Sequence, residues 1–115
     1  MNYESKIENC KYIVKQLKKL EIDDAYLGFY FVVSIENILL NKEKEINSFY
    51  KDIYPIIAEM YDKNDCSIER DIRHYIHQLW LSGNKYRLYQ LFGGIKPSCC
   101  KFIYTIKNYL IKQIA

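Results

Sequence analysis

Apolar residues recur three and four positions apart in long stretches of this chain, while residues that interrupt helices are scarce. Only 4 of the 115 residues are glycine and only 2 are proline, so the chain is poorly supplied with tight turns. Such a pattern favours a few long helices over many short strands. We therefore predict an all-α fold class.

The longest predicted helices run from about 4 to 20, 23 to 40, 66 to 81 and 97 to 114. Asp23 and Asp24 suit the N-terminus of the second helix, because carboxylates cap free amides there. The run FYFVV within it also fits a buried strand, but the apolar pattern continues through Leu39, and this length favours a helix. With shorter segments between these four, we predict six helices in a single domain over residues 1–115.

The amino-acid composition limits the classes of protein to which this chain can belong. Half of the residues are apolar and the net charge is +3, which fits one globular core and permits, without requiring, binding to nucleic acid. The N-terminal sequence has no apolar signal-peptide region, and the longest apolar run, residues 25–33, is too short to span a bilayer. We expect a cytoplasmic protein without a membrane segment, in which the four cysteines are free thiols.

The stretch from Tyr54 to Asn84 reads as a short helix, a polar turn and a longer helix. This is the layout of a helix-turn-helix, which places its second helix in the DNA major groove. On a helical wheel, one predicted face of that second helix is apolar and consists of Ile68, Ile72, Tyr75, Ile76 and Leu79. The opposite face carries Cys66, Arg70, Arg73, His74 and His77, with Ser67 and Glu69 on its flanks.

The arginines on this outer face have the chemistry of base recognition. A guanidinium group can donate two parallel hydrogen bonds to guanine, worth about 1–3 kcal/mol against a wrong base. A carboxylate at Glu69 could accept from a cytosine amino group, and Ser67 could reach a phosphate or a base edge. The plainer alternative is that Glu69 and Arg73, four residues apart, form a solvated surface pair worth about 0.3–0.5 kcal/mol.

Five stretches resemble the C-terminal DNA-binding domain of the stage-zero sporulation response regulator family. They are SFYKDIYPIIAEMY (48–61), CSIERDIRHYIHQLW (66–80), SGN (82–84), LFG (91–93) and KPSCCKF (96–102). The resemblance implies a six-helix effector domain that binds short DNA boxes and regulates transcription in sporulation. It also implies that Glu69, Arg70 and Arg73 contact bases, since these match the family's base-reading residues.

The resemblance implies further contacts outside the recognition helix. The segment 82–91 corresponds to a family region that touches the RNA polymerase sigma factor, which makes Ser82, Asn84, Lys85 and Arg87 the predicted polymerase contacts. Lys96 and Ser98 match a region near the DNA backbone. The full set of predicted phosphate contacts is Ser67, His74, Lys63, Lys96 and Ser98. Binding to tandem sites as a homodimer fits a module this small.

Three departures from the family pattern affect these expectations. A receiver domain has no room in this chain, so we do not expect control by phosphorylation within it. The loop between Gly93 and Lys96 is shorter than the family's, and Asp71 replaces a small residue on the recognition helix. Because a carboxylate repels phosphates, Asp71 also favours an alternative function, a protein-interaction module or decoy that binds the full-length regulator or RNA polymerase.

The remaining patterns do not indicate an enzyme. The sequence contains no nucleophile elbow, glycine-rich phosphate loop or paired catalytic carboxylates. His74 and His77 could bind a metal together with Cys66, but the closely spaced cysteine pairs typical of zinc sites are missing. We therefore expect no enzymatic activity, no cofactor and no metal.

Overall fold

The computed structural model describes residues 3–20, 26–41 and 48–114. Within these ranges the chain is helical, with seven α-helices, one π-helical turn and no β-strand. The all-α prediction is confirmed, whereas the predicted count of six helices is wrong. The elements are α1 (Tyr3–Lys6), α2 (Lys11–Lys18), α3 (Leu27–Asn41), the π-turn (Phe49–Ile53), α4 (Tyr54–Tyr61), α5 (Asp65–Ser82), α6 (Lys85–Phe92) and α7 (Cys99–Ile114).

The predicted helix from 4 to 20 is divided into α1 and α2, which accounts for part of the difference in helix count. Between them the backbone makes short turn bonds, with the amide of Cys10 donating to the carbonyl of Ile7 at 2.9 Å. Ile7 and Cys10 are both buried. The division lets α1 lie against α3, where the ring of Tyr3 is 5.9 Å from that of Tyr30. The apolar spacing continues through the turn between α1 and α2, because the turn residues also face the core.

Helix α3 lies at the centre of the domain and packs against α1, α2, α4, α5 and α7. The FYFVV run is helical and every one of its side chains is buried, which confirms the choice of helix over strand. A helix that is apolar on all sides is typical of the middle of a bundle. Asp23 and Asp24, predicted to begin this helix, lie outside the described residues.

Helix α5 packs on α3 through a very close backbone approach at Gly28. A Cβ atom at Gly28 would lie 2.3 Å from the carbonyl oxygen of Asp71 and 2.6 Å from the Cβ of Tyr75. The absence of a side chain therefore sets the distance between the two helices. The predicted apolar face of α5 is buried in full, which confirms its orientation toward the core; its members are Ile68, Ile72, Tyr75, Ile76 and Leu79.

Both ends of α5 are fixed by specific hydrogen bonds. At the turn from α4, Asp62 adopts a left-handed conformation (φ 56°), and the amide of Lys63 donates to the carbonyl of Ala58 at 2.8 Å. Asn64 is the N-cap, and its Oδ1 accepts from the amide of Ser67 at 3.0 Å. Gly83 ends the helix. None of the described helices is long and apolar enough to cross a membrane.

Candidate nucleic-acid interface

The outer face of α5 is open to solvent. The side chains of Arg70 and Arg73 are 66% and 62% exposed, and Cys66, His74 and His77 are exposed as well. The core-facing stripe holds this helix so that its polar side points away from the domain. The two guanidinium groups therefore lie on the exposed face of a helix whose other face is buried.

Arg73 is paired with Glu69 one turn earlier. Nη1 of Arg73 donates to Oε1 of Glu69 at 2.7 Å, and the Glu69 side chain is only 22% exposed. An ion pair this exposed on the arginine side contributes little to folding stability. The contact holds the Arg73 side chain along the helix and uses only one of the five N–H donors of the guanidinium group.

Arg70 contacts two neighbouring side chains of α5. Its Nη2 donates to Oγ of Ser67 at 3.3 Å, and its Nε lies 3.7 Å from Oδ1 of Asp71. The Ser67 hydroxyl in turn donates to Oδ1 of Asn64 at 2.9 Å. Ser67 is buried, so this predicted phosphate contact has its hydroxyl hydrogen already engaged at the helix cap. Sequence reasoning placed Ser67 on the flank of the face and missed this link.

Basic side chains from outside α5 border the same face. Lys63 is exposed in the turn that precedes α5. On the other side, the exposed Lys96 brings its Nζ to 3.5 Å from Nδ1 of His77. The imidazole of His74 contacts the ring of Tyr26 edge-on, with ring centroids 5.4 Å apart. The described residues include no group of three or more His, Cys, Asp or Glu side chains that could hold a metal ion.

Ser98 directly precedes α7 and lines a cleft together with Arg73 of α5. Its Oγ accepts from the amide of Lys101 at 3.2 Å, and its carbonyl accepts from Phe102. A cleft of about 350 Å³ separates the start of α7 from α5 and the π-turn, and its lining includes Tyr50, Arg73, Lys96 and Cys99. The sequence could not indicate this cleft, because its walls come from segments far apart in the chain.

The thiol of Cys99 lies in this cleft and is a weakly reactive one. Burial, and to a smaller extent the negative charge of Glu69, raises the pKa of the Cys99 thiol to about 11. Its Sγ lies 3.9 Å from the carbonyl oxygen of Glu69. A thiol with a raised pKa stays protonated near neutral pH and is a poor nucleophile. All four cysteines are free thiols, as the sequence predicted.

The predicted polymerase contacts lie where α5 ends and α6 begins. Ser82, Lys85 and Arg87 are exposed, whereas Asn84 is half-buried as the N-cap of α6 and accepts from the amide of Arg87 at 3.1 Å. The ammonium of Lys85 donates to the carbonyl of Trp80. Three large exposed apolar side chains lie in the same region: Leu81, Tyr86 and Tyr89.

A comparison with protein families identifies the family of this helical chain. The family model described as "Sporulation initiation factor Spo0A C terminal" matches residues 13–110, which is most of the chain. The chain belongs to the Spo0A C-terminal family. The resemblance drawn from the sequence is thereby confirmed. Spo0A C-terminal domains are the DNA-binding effector domains of a sporulation transcription regulator, not a family of enzymes. The match includes all of α3 to α6, and α1 lies before it.

Proposed function

We propose that this chain is a sequence-specific double-stranded DNA-binding transcriptional regulator. In this proposal α4, the turn at residues 62–64 and α5 form the helix-turn-helix, and α5 enters the major groove. The observation that carries it is the pair of exposed guanidinium groups, Arg70 and Arg73, on a helix whose other face is buried. The major groove admits an α-helix and presents acceptors on guanine that match such groups.

Base reading is assigned to three side chains of α5. Arg70 and Arg73 donate to guanine, and Glu69 accepts from a cytosine amino group or orients Arg73 through their 2.7 Å contact. The ion pair between Glu69 and Arg73 does not argue against this role. A pair on an exposed surface separates at small cost when a better partner arrives.

Phosphate contacts are assigned to residues that border this face. Lys63 precedes α5, while Lys96 and Ser98 lie beside it across the cleft, and His74 is exposed on the helix itself. Ser67 is the weakest of the proposed phosphate contacts. Its hydroxyl hydrogen is donated to Asn64, and that bond would have to open before a phosphate could receive it.

Two further partners belong to the same proposal. The exposed Ser82, Lys85 and Arg87, with Asn84 as the cap that fixes them, form a surface for the RNA polymerase sigma factor. Its exposed tyrosines, Tyr86 and Tyr89, suit a protein partner, because aromatic residues are enriched at interfaces. On DNA, two copies would bind tandem sites about one helical turn apart as a homodimer.

The decisive experiment selects bound duplexes from a random pool and compares the selected site with scrambled DNA across a salt series. DNA readout predicts a specificity ratio above about a thousand and a steep loss of affinity with salt. Arg70→Ala should cost about 1–3 kcal/mol on the selected site and much less on scrambled DNA. Arg87→Ala, which removes an exposed arginine outside α5, is the matched control and should change neither.

The opposite result would favour the interaction module. If no sequence is enriched and binding hardly responds to salt, the chain does not read DNA. Equal losses on selected and scrambled duplexes for Arg70→Ala would reject base contact by Arg70 while leaving phosphate contact in place.

A further inference from the structure

We propose that Ser67 and Asp71 position the guanidinium of Arg70 before DNA arrives, and that Asp71 thereby sets base specificity. This inference rests on the proposed function of α5 and deepens it. Asp71 is then not only a source of repulsion toward phosphates. It becomes a positioning residue whose effect on DNA binding passes through Arg70.

The two contacts lie along one edge of the planar guanidinium group. Nε of Arg70 is 3.7 Å from Oδ1 of Asp71, and Nη2 is 3.3 Å from Oγ of Ser67. Nε and Nη2 share an edge of this rigid planar group. Among the described residues no group contacts Nη1. The end of the guanidinium formed by Nη1 and Nη2 is thus left to face outward, and it can make the bidentate contact that guanine requires.

Both positioning groups are themselves held in place. The Ser67 hydroxyl is fixed by its 2.9 Å bond to the N-cap Asn64, and the residue is buried. The Asp71 side chain is only 21% exposed, and its backbone carbonyl abuts Gly28 of α3. The contacts to Arg70 therefore start from parts of α5 that the core immobilises, although Arg70 itself is 66% exposed.

The benefit of these contacts appears in binding rather than in folding. An ion pair this exposed contributes little to stability. It does reduce the rotamer freedom of a long side chain, and a side chain already ordered loses less entropy when it binds. Simple charge repulsion and positioning predict different effects when Asp71 is removed. Repulsion predicts tighter binding to every duplex, whereas positioning predicts a loss of discrimination at the base that Arg70 reads.

The first experiment measures the DNA affinity of Asp71→Ala and of the wild type on two duplexes. One is the selected duplex, and in the other the guanine that Arg70 is proposed to contact is replaced by another base. We expect the ratio of the two affinities to fall roughly threefold to tenfold, and Ser67→Ala to act in the same direction. In an Arg70→Ala background, Asp71→Ala should leave the ratio unchanged. An unchanged ratio in the wild-type background, or an equal fall in the Arg70→Ala background, would overturn the proposal.

The second experiment needs no DNA and separates this inference from the proposed function. In the free protein, ¹⁵N relaxation of the Arg70 Nε–H group should report a more ordered group than that of Arg87, whose guanidinium has no partner among the described residues. Asp71→Ala should increase the mobility of Arg70 toward that of Arg87. Equal mobility in the wild type would refute positioning even if DNA binding is specific. An ordered Arg70 in a protein that ignores DNA sequence would instead reject the proposed function, and with it the role in specificity.

Discussion

Glu36 lies in the middle of α3 with both carboxylate oxygens buried and without a hydrogen-bond partner among the described residues. Burial raises the pKa of this carboxyl well above its ordinary value, while the positive charge of Lys107 on α7 acts in the opposite direction. An isolated carboxylate is far more costly to bury than a neutral acid. Glu36 is therefore a neutral acid in the folded domain over a wider range of pH than in the unfolded chain.

This shift makes the stability of the domain depend on pH. Because the folded pKa is above the unfolded one, the stabilisation is complete below the unfolded pKa and is lost as the pH rises toward the folded pKa. Glu36→Gln removes that titration. In urea denaturation we expect the stability of the variant relative to the wild type to increase from pH 5 to pH 8, by up to about 1.4 kcal/mol per pH unit. Glu59→Gln, at an exposed glutamate of α4, is the control. The same pH dependence in wild type and Glu36→Gln would contradict the assignment.

At the scale of elements, the placement of α5 depends on two glycines that let backbones approach. Gly28 faces Asp71 and Tyr75, and a Cβ at Gly83 would lie 2.6 Å from the carbonyl oxygen of Leu79 and 3.0 Å from that of Leu20. The amide of Asn84 also donates to the carbonyl of Leu20 at 2.8 Å. The orientation of α5 is thus tied to α3 near the middle of the helix and to Leu20, just after α2, at its C-terminus.

Gly28→Ala should push α3 and α5 apart. The added Cβ would lie 2.3 Å from a backbone oxygen, which cannot rotate away, so we expect a loss of about 1–3 kcal/mol from overpacking. Gly94→Ala is the matched control, because a Cβ there would meet nothing within 4 Å. Both are measured by thermal and urea denaturation. A Gly28→Ala variant as stable as Gly94→Ala would show that the helix contact is not as close as described.

The spacing of apolar residues predicted a helix correctly wherever a single apolar face packs on the core. The apolar face of α5 and its approximate bounds could be read from spacing and residue type. The break between α1 and α2 could not, because Ile7 and Cys10 keep the helical spacing while they face the core from a turn. The contacts of Arg70 were missed as well, since side-chain rotamers depend on which neighbours the core has already immobilised.

At the scale of the whole molecule, the net charge of +3 is small, so the placement of charge matters more than its amount. Lys63 lies in the turn before α5 and Lys96 lies beside His77 on its outer face, although the two lysines are far apart in the chain. The fold thus assembles a basic border that the overall composition does not indicate.

Lys96→Ala tests this arrangement. The lysine is proposed to contact phosphate, so its loss should weaken binding to selected and scrambled duplexes by the same factor and lower the salt slope by about 1. Lys112→Ala, at an exposed lysine near the end of α7, should leave affinity and slope unchanged. A fall confined to the selected duplex would mean that Lys96 reads a base instead.

The amino-acid sequence by itself determined the all-α class, the two faces of α5 and the residue types on the outer face, because helical periodicity is a local property of the chain. Only the tertiary structure decided where the cleft beside α7 opens and that Lys96 borders α5. Those features arise where segments distant in sequence pack together, and packing depends on shape and close approach, as at Gly28, rather than on periodicity.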